Sequence, residues 1–131
     1  LPAGRVTAID LSEGMLAVAE QRSQELGLGN IDFLQMDMTR MTLPENYYDV
    51  VNASFGVFFV EDMEHLAQHV ASRLQPGGRF ITTHFAEGSM APMQDMIMQR
   101  LQQYGVDVPS ISWARLDSEA ANRELYEKAG F

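Results

Sequence analysis

Arg5-Val6-Thr7-Ala8-Ile9-Asp10-Leu11-Ser12-Glu13 is the stretch whose reading settles the kind of fold. Gly4 opens it, β-favouring residues fill Arg5 to Asp10, and an acid closes it, which is the pattern of a short strand. Ser12 stands where a helix N-cap belongs, because its short side chain can accept one of the N–H groups that a first helical turn leaves unpaired. From Glu13 to Leu26, Leu16, Ala19 and Leu26, flanked by Met15 and Val18, follow helical spacing, and Gly27 sits where a left-handed C-cap is needed. The chain therefore begins with a strand followed by a helix.

The alternation continues outward from there. Ile31 to Met36 reads as a second strand, again followed by an acid, Asp37, and Tyr48 to Ser54 as a third. Asp62 caps a helix whose stripe is Met63, Leu66, Val70 and Leu74. That helix stops at a Pro76-Gly77-Gly78 turn, and Arg79 to Phe85 is the fourth strand. Pro92 opens a helix from Met93 to Tyr104 with Met93, Met96, Ile97, Leu101 and Tyr104 on one side and Gly105 at its end. After a loop through Pro109, a last helix runs from about Ser118 to Ala129, with Phe131 placed for the apolar contact of a Schellman cap. Strands alternating with helices predict an α/β fold with a parallel sheet and helices on its faces.

Composition narrows the function classes. At 131 residues, 46% of them hydrophobic, the chain has the size and apolar content of one domain. A net charge of −9 repels a phosphate backbone or an anionic membrane surface and suits a small neutral or cationic ligand. The absence of cysteine removes disulfides, thiolate metal sites and cysteine nucleophiles together. No apolar run approaches the ~20 residues that span a bilayer, and Leu1 to Arg5 lacks the features of a signal peptide, so the cytoplasm is the expected compartment.

In open α/β sheets ligands sit beyond the carboxyl ends of the strands. Asp10, Asp37 and the Ala53-Ser54 corner fall there. A carboxylate has two acceptor oxygens and no donor, so Asp10 suits the two hydroxyls of a ribose. Asp37 suits an exocyclic amino group such as that of adenine, with the backbone of Met38 beside it for a ring nitrogen. Asp also ends strands and starts turns for purely structural reasons, and only the pair in consecutive strand-helix units favours a ligand role.

Asp10-Leu11-Ser12-Glu13-Gly14-Met15-Leu16 resembles the segment that follows the glycine-rich loop in class I S-adenosylmethionine (SAM) dependent methyltransferases. Gln35-Met36-Asp37-Met38 resembles their adenine-binding segment, and Tyr48-Asp49-Val50-Val51-Asn52-Ala53-Ser54-Phe55-Gly56 their fourth-strand motif. Arg73-Leu74-Gln75-Pro76-Gly77-Gly78-Arg79-Phe80 is similar to the helix-turn-strand before their fifth strand, and Lys128-Ala129-Gly130-Phe131 to the turn before the sixth. Ser54-Phe55-Gly56 is most like the enzymes that methylate small molecules, those of quinone pathways included.

The resemblance implies a three-layer, Rossmann-like α/β fold and transfer of a methyl group from SAM to a small-molecule acceptor, leaving S-adenosylhomocysteine. It implies cofactor contacts at Asp10, Leu11, Met15, Asp37, Met38, Ala53 and Ser54, and no metal. Residues 1–131 then form a partial domain, with 90–116 as a lid or substrate-side insertion. The family's first strand and glycine-rich loop, which hold the methionine half of SAM, would precede Leu1, and its last two strands would follow Phe131. That predicts unpaired apolar strand edges and weak activity for this chain alone. Two rivals stand beside this reading: a doubly wound nucleotide-dependent oxidoreductase, whose second strand also ends in an acid, and a non-catalytic binding module of the same fold.

Other side chains carry competing readings. His65 and His69 have the four-residue spacing of two metal ligands, but they lie off the apolar stripe with no third ligand, so a solvated face is expected. His84, near the end of the fourth strand, is a candidate general base, with a structural histidine as the stronger alternative. Met90, Met93, Met96 and Met98 suit either an adaptable lid or ordinary packing, and packing is the expectation for a stripe at helical spacing. Phe55, Phe58 and Phe59 follow the third strand, where an aromatic face can attract a sulfonium or simply pack.

Overall fold

The computed structural model describes residues 4–106 and 112–131, and the loop through Pro109 expected from the sequence lies outside them. Among the described residues the chain forms two compact units, divided between Leu43 and Pro44.

The first unit is a strand-helix-strand. β1 (Val6–Asp10) pairs in parallel with β2 (Ile31–Gln35), in continuous register from Val6 opposite Ile31 to Asp10 opposite Gln35. Parallel neighbours need a crossover, and α1 (Glu13–Glu25) supplies it. Ser12 caps α1 by accepting the Met15 N–H at 3.3 Å. At the other end Gly27, at φ +66°, donates to Gln24 O and Leu28 N donates to Ser23 O, which is a complete Schellman motif. The expected helical stripe is only partly realised. Leu16 is buried, but Ala19 and Leu26 are exposed, and it is Ser23, two turns beyond Leu16, that is buried with it. Apolar periodicity passes over Ser23 because its side chain is polar. In the structure its hydroxyl is satisfied locally by Glu20 O at 2.9 Å, so the burial leaves no orphan donor.

The second unit holds β3 (Tyr48–Ser54), a short 3₁₀ turn (Val57–Phe59), α2 (Met63–Arg73), β4 (Leu74–Thr83), α3 (Met93–Gln103), a second 3₁₀ turn (Ser112–Leu116) and α4 (Glu119–Lys128). β3 and β4 are parallel, with Val50 opposite Arg79 and Ser54 opposite Thr83. Two features depart from the sequence expectation. Leu74 is the first residue of β4 rather than the last of the α2 stripe, and Pro76-Gly77-Gly78 lies inside the strand as an irregularity, since Tyr48 pairs with Leu74 before the register shifts. Asp49 opposite the irregularity accepts from the Gln75 amide. Gly78 is required there by space: a Cβ would meet Gln75 O at 2.9 Å and the Leu74 side chain at 3.0 Å. The fourth strand also ends at Thr83, two residues short of Phe85.

The core of this unit is Val57, Phe58, Leu66, Ala67, Val70, Leu74, Leu116 and Leu125. Asp62 caps α2 through the His65 N–H at 2.8 Å. α4 closes in the expected Schellman motif: Phe131 N donates to Tyr126 O and Gly130 N to Glu127 O, and the Phe131 ring lies against both Tyr126 and Phe80. α3 corrects an expectation. Met93, Met96, Ile97 and Tyr104 are all exposed and no residue of the helix is buried, so packing does not explain its apolar stripe among the described residues.

Candidate functional site

Asp10 and Asp37 leave the same end of the same pair of strands. Asp10 is the last residue of β1, and its register partner Gln35 is the last of β2. Met36 N donates to Asp10 O at 3.0 Å, and the Gln35 side chain donates to Leu11 O at 3.0 Å, so the two strand ends are stitched together just before Asp37. Parallel pairing thus brings two acids far apart in sequence to one edge, together with Leu11, Met15 and Met38.

Both carboxylates are presented by one device. In Asp10-Leu11-Ser12 the Asp10 Oδ1 accepts the Ser12 N–H at 2.7 Å, and in Asp37-Met38-Thr39 the Asp37 Oδ1 accepts the Thr39 N–H at 2.8 Å. These are Asx turns, in which the side chain satisfies the amide two residues on. Each turn fixes the carboxylate with one oxygen and leaves the second without a partner among the described residues. The hydroxyls then part company. Ser12 Oγ turns to cap α1, whereas Thr39 Oγ1 donates to Asp37 Oδ1 at 2.7 Å. The Thr39 hydroxyl and amide, with the Arg40 charge nearby, hold the Asp37 carboxyl below its ordinary pKa. Asp37 also caps the 3₁₀ turn Met38–Arg40, whose first hydrogen bond is Arg40 N to Asp37 O at 3.0 Å. The Met38 N–H precedes that bond, so it has no acceptor within the turn.

Leu11 and Met15 are 65% and 61% exposed, two large apolar side chains held open beside Asp10. Carboxylates flanked by apolar surface and a backbone amide fit an adenosine: acceptors for hydroxyl and amino donors, an amide for a ring nitrogen, and alkyl groups for the faces of the base. Ala53 and Ser54 end β3, opposite Thr82 and Thr83, in the other unit.

His84 lies just past β4. Its Nε2 is 2.9 Å from Thr82 Oγ1 and 3.3 Å from the Tyr126 hydroxyl, which itself donates to Thr82 Oγ1 at 3.2 Å. Nδ1 is buried with no hydrogen-bond partner among the described residues. Burial pushes the imidazole pKa down and the Tyr126 phenol up. Its ring nitrogen thus joins Thr82 of β4 to Tyr126 of α4. His65 and His69 stack at 6.1 Å on α2, and no group of three or more metal-ligating side chains occurs among the described residues. Of the three phenylalanines after β3, Phe58 is fully buried, while Phe55 and Phe59 are exposed. Phe55 has a φ of +52°, which is uncommon for a residue with a bulky side chain, and its ring lies 4.8 Å from that of Phe85.

Sequence reasoning missed Arg115. Its guanidinium donates to Val60 O at 2.6 Å and Glu61 O at 2.7 Å, and reaches Phe58 O at 3.5 Å. Nothing local in Ala114-Arg115-Leu116 announces a contact to carbonyls more than fifty residues away. The two Asx turns were missed as well, although Asp-x-Ser and Asp-x-Thr are a local signature that could have found them. Among the described residues of the second unit, one open concavity of about 560 Å³ lies beside Glu61, Glu64 and Arg115 and another of about 290 Å³ beside Glu87, Asp95 and Asp117. Neither includes a residue expected to bind cofactor.

The family profile described as a methyltransferase domain matches residues 1–82. The chain is 33% identical over 93 residues to the ubiquinone/menaquinone biosynthesis C-methyltransferase of Pseudomonas fluorescens, covering 70% of this chain and 36% of that protein. It thus spans about a third of the length of the curated relatives it matches. Among solved structures, an S-adenosylmethionine dependent methyltransferase from Mesorhizobium loti is 32% identical with a TM-score of 0.59, over 69% of this chain and 40% of that one. A methyltransferase-like protein from Bacillus halodurans shares only 18% identity but superposes over 98% of this chain and 53% of that one, with a TM-score of 0.72. These neighbours have the Rossmann-like α/β fold expected from the sequence.

Proposed function

This chain belongs to the methyltransferase domain family, and from that premise we propose that it carries the adenosine-binding part of a SAM-dependent enzyme acting on a small molecule. The observation that carries the reading is the pair of Asx turns. They set Asp10 and Asp37 at one edge of β1 and β2 with one acceptor oxygen on each unpartnered among the described residues. Asp10 takes the ribose hydroxyls, Asp37 the adenine amino group and the Met38 amide a ring nitrogen, while Leu11 and Met15 cover the apolar faces. For Ala53 and Ser54 the family resemblance alone supports a cofactor contact.

SAM, when bound, supplies a methyl group already activated by positive sulfur, and the protein's task is to position it and exclude water. No residue here need act as a base, and the partly buried ring of His84 supports a structural place for it. The exposed apolar face of α3 supports 90–116 as a lid or substrate-side segment. The name of the P. fluorescens relative, a ubiquinone/menaquinone biosynthesis C-methyltransferase, makes a quinone-type compound the first acceptor class to test. Net charge of −9 supports a partner other than nucleic acid or an anionic membrane. No helix among the described residues is long and apolar enough to cross a membrane, and the cytoplasm is the proposed compartment.

Calorimetric titration of the natural polypeptide with SAM and with NADH tests the reading. Binding of SAM, weakened in Asp10→Ala, is the expected result. A preference for NADH returns the oxidoreductase reading, and binding of SAM without transfer to any acceptor favours the non-catalytic module.

A further inference from the structure

The two Asx turns leave different acceptor capacity behind. A carboxylate has two oxygens and about four lone-pair positions for donors. At Asp10 the turn takes one of these, for the Ser12 N–H on Oδ1, and the Ser12 hydroxyl accepts the Met15 N–H instead of turning to the carboxylate. At Asp37 the turn takes two, both on Oδ1: the Thr39 N–H at 2.8 Å and the Thr39 hydroxyl at 2.7 Å. Among the described residues Asp10 therefore keeps capacity on both oxygens, and Asp37 on Oδ2.

That difference suits the two ligand groups assigned to the acids. Neighbouring ribose hydroxyls are two donors side by side and call for two oxygens, whereas an amino group in the plane of a base turns one N–H toward one oxygen. The fold itself has little need of the second bond to Asp37. Its 3₁₀ turn is already closed by Arg40 N to Asp37 O at 3.0 Å and capped by the Thr39 N–H. What the hydroxyl adds is orientation. The last torsion of an aspartate is broad, and a second donor on the same oxygen narrows it. The β-branch of Thr39 restricts its own rotamer, so the hydroxyl is held toward Asp37 at less entropic cost than a serine would meet. The same donors, with the Arg40 charge, hold the carboxyl below its ordinary pKa, which keeps Oδ2 an acceptor.

We propose that Thr39 is a positioning residue for the base of the cofactor: its hydroxyl fixes which Asp37 oxygen meets the amino group, and so sets the preference for a 6-aminopurine. The inference rests on the methyltransferase reading above and adds to it a side chain that acts on the ligand only through Asp37.

The test is calorimetric titration of the natural polypeptide with S-adenosylhomocysteine and with its 6-deamino analogue, in which hydrogen replaces the amino group and the ring nitrogens are kept. It uses the wild type, Thr39→Val, Thr39→Ser, Asp37→Ala and the double variant Asp37→Ala with Thr39→Val. The wild type prefers S-adenosylhomocysteine about ten- to a hundredfold, the scale of one hydrogen bond to a charged group. Thr39→Val, which keeps the shape and the amide but loses the hydroxyl, narrows that preference about fivefold and leaves the Kd for the deamino analogue within about twofold, since coupling is confined to groups that share a partner. Thr39→Ser restores most of the preference. Asp37→Ala removes it, and adding Thr39→Val then changes it no further. An equal loss for both ligands in Thr39→Val makes Thr39 a merely structural residue and overturns the proposal, as does a preference that Thr39→Val leaves unchanged or Thr39→Ser fails to restore. A wild type that binds the two ligands equally overturns the amino contact of Asp37, and the proposal with it. A wild type that binds neither defeats the methyltransferase reading itself.

Discussion

The two units of this chain divide their labour. In the first, 1–43, the buried side chains among the described residues are Leu16, Ser23 and Met41, and Leu11, Met15, Val18 and Leu26 are all exposed. The second buries a contiguous apolar set from Val57 to Leu125, with Phe58 and Leu116 sealed from solvent. The residues proposed to hold adenosine are thus concentrated in the unit with the thinner core. Their geometry comes from strand register and two Asx turns, which are backbone devices, rather than from close side-chain packing. Binding and stability should therefore be separable by mutation.

The largest effect expected is in the second core. Phe58→Ala should cost about 3–5 kcal/mol in urea unfolding, since a sealed aromatic leaves a cavity, whereas Leu16→Ala should cost about 2. Equal costs would erase the contrast between the units. Asp10→Ala sharpens it from the other side: loss of charge-assisted hydrogen bonds to ribose should weaken SAM binding about ten- to a hundredfold in calorimetry. The melting temperature should fall by only a few degrees, the scale of about 1 kcal/mol for the lost bond to the Ser12 amide. A collapse of the melting temperature together with affinity would make Asp10 chiefly a structural residue.

Two glycines give a smaller, paired test. Gly78→Ala pushes a methyl group into Gln75 O and the Leu74 side chain and should cost about 1–3 kcal/mol. Gly27→Ala meets no atom within 4 Å and should cost only the left-handed backbone penalty, about 1 kcal/mol. Thermal unfolding of the two variants compares them directly.

The smallest effects are in pH. His84 has its folded pKa depressed below 6.5 by burial, so the native state binds fewer protons than the unfolded one. Stability is full above 6.5 and declines as pH falls through the lower folded value, and His84→Gln should flatten that slope in urea titrations. Asp37 follows the same sign in the acid range: its carboxyl should titrate below 3.8 by NMR, and Thr39→Val should move the midpoint back up. A midpoint unmoved by Thr39→Val would remove the second hydrogen bond from the account.

Much of this was legible in the sequence because it is local. Caps at Ser12 and Asp62, and glycines at positions 27, 105 and 130, obey rules that act within a few residues, and each stands where the rules place it. What the sequence hid is what depends on distance. The irregularity in β4 falls where the chain pairs with β3, far away in sequence, and Ser23 is buried where Leu26 was expected. The grip of Arg115 joins residues with no shared periodicity. The apolar stripe of α3 misled for the opposite reason: periodicity predicts that a face is apolar, not that something covers it.

The register of β1 on β2 also sets what the chain can tolerate as it changes length. Asp10 and Asp37 are aligned by strand pairing and not by the stretch between them, so residues added in the Leu26 to Asn30 connection leave the two carboxylates in step. One residue added inside Ile31–Gln35 would turn each later side chain to the opposite face and carry Asp37 out of alignment. Insertions here should be accepted or refused according to which side of Ile31 they fall.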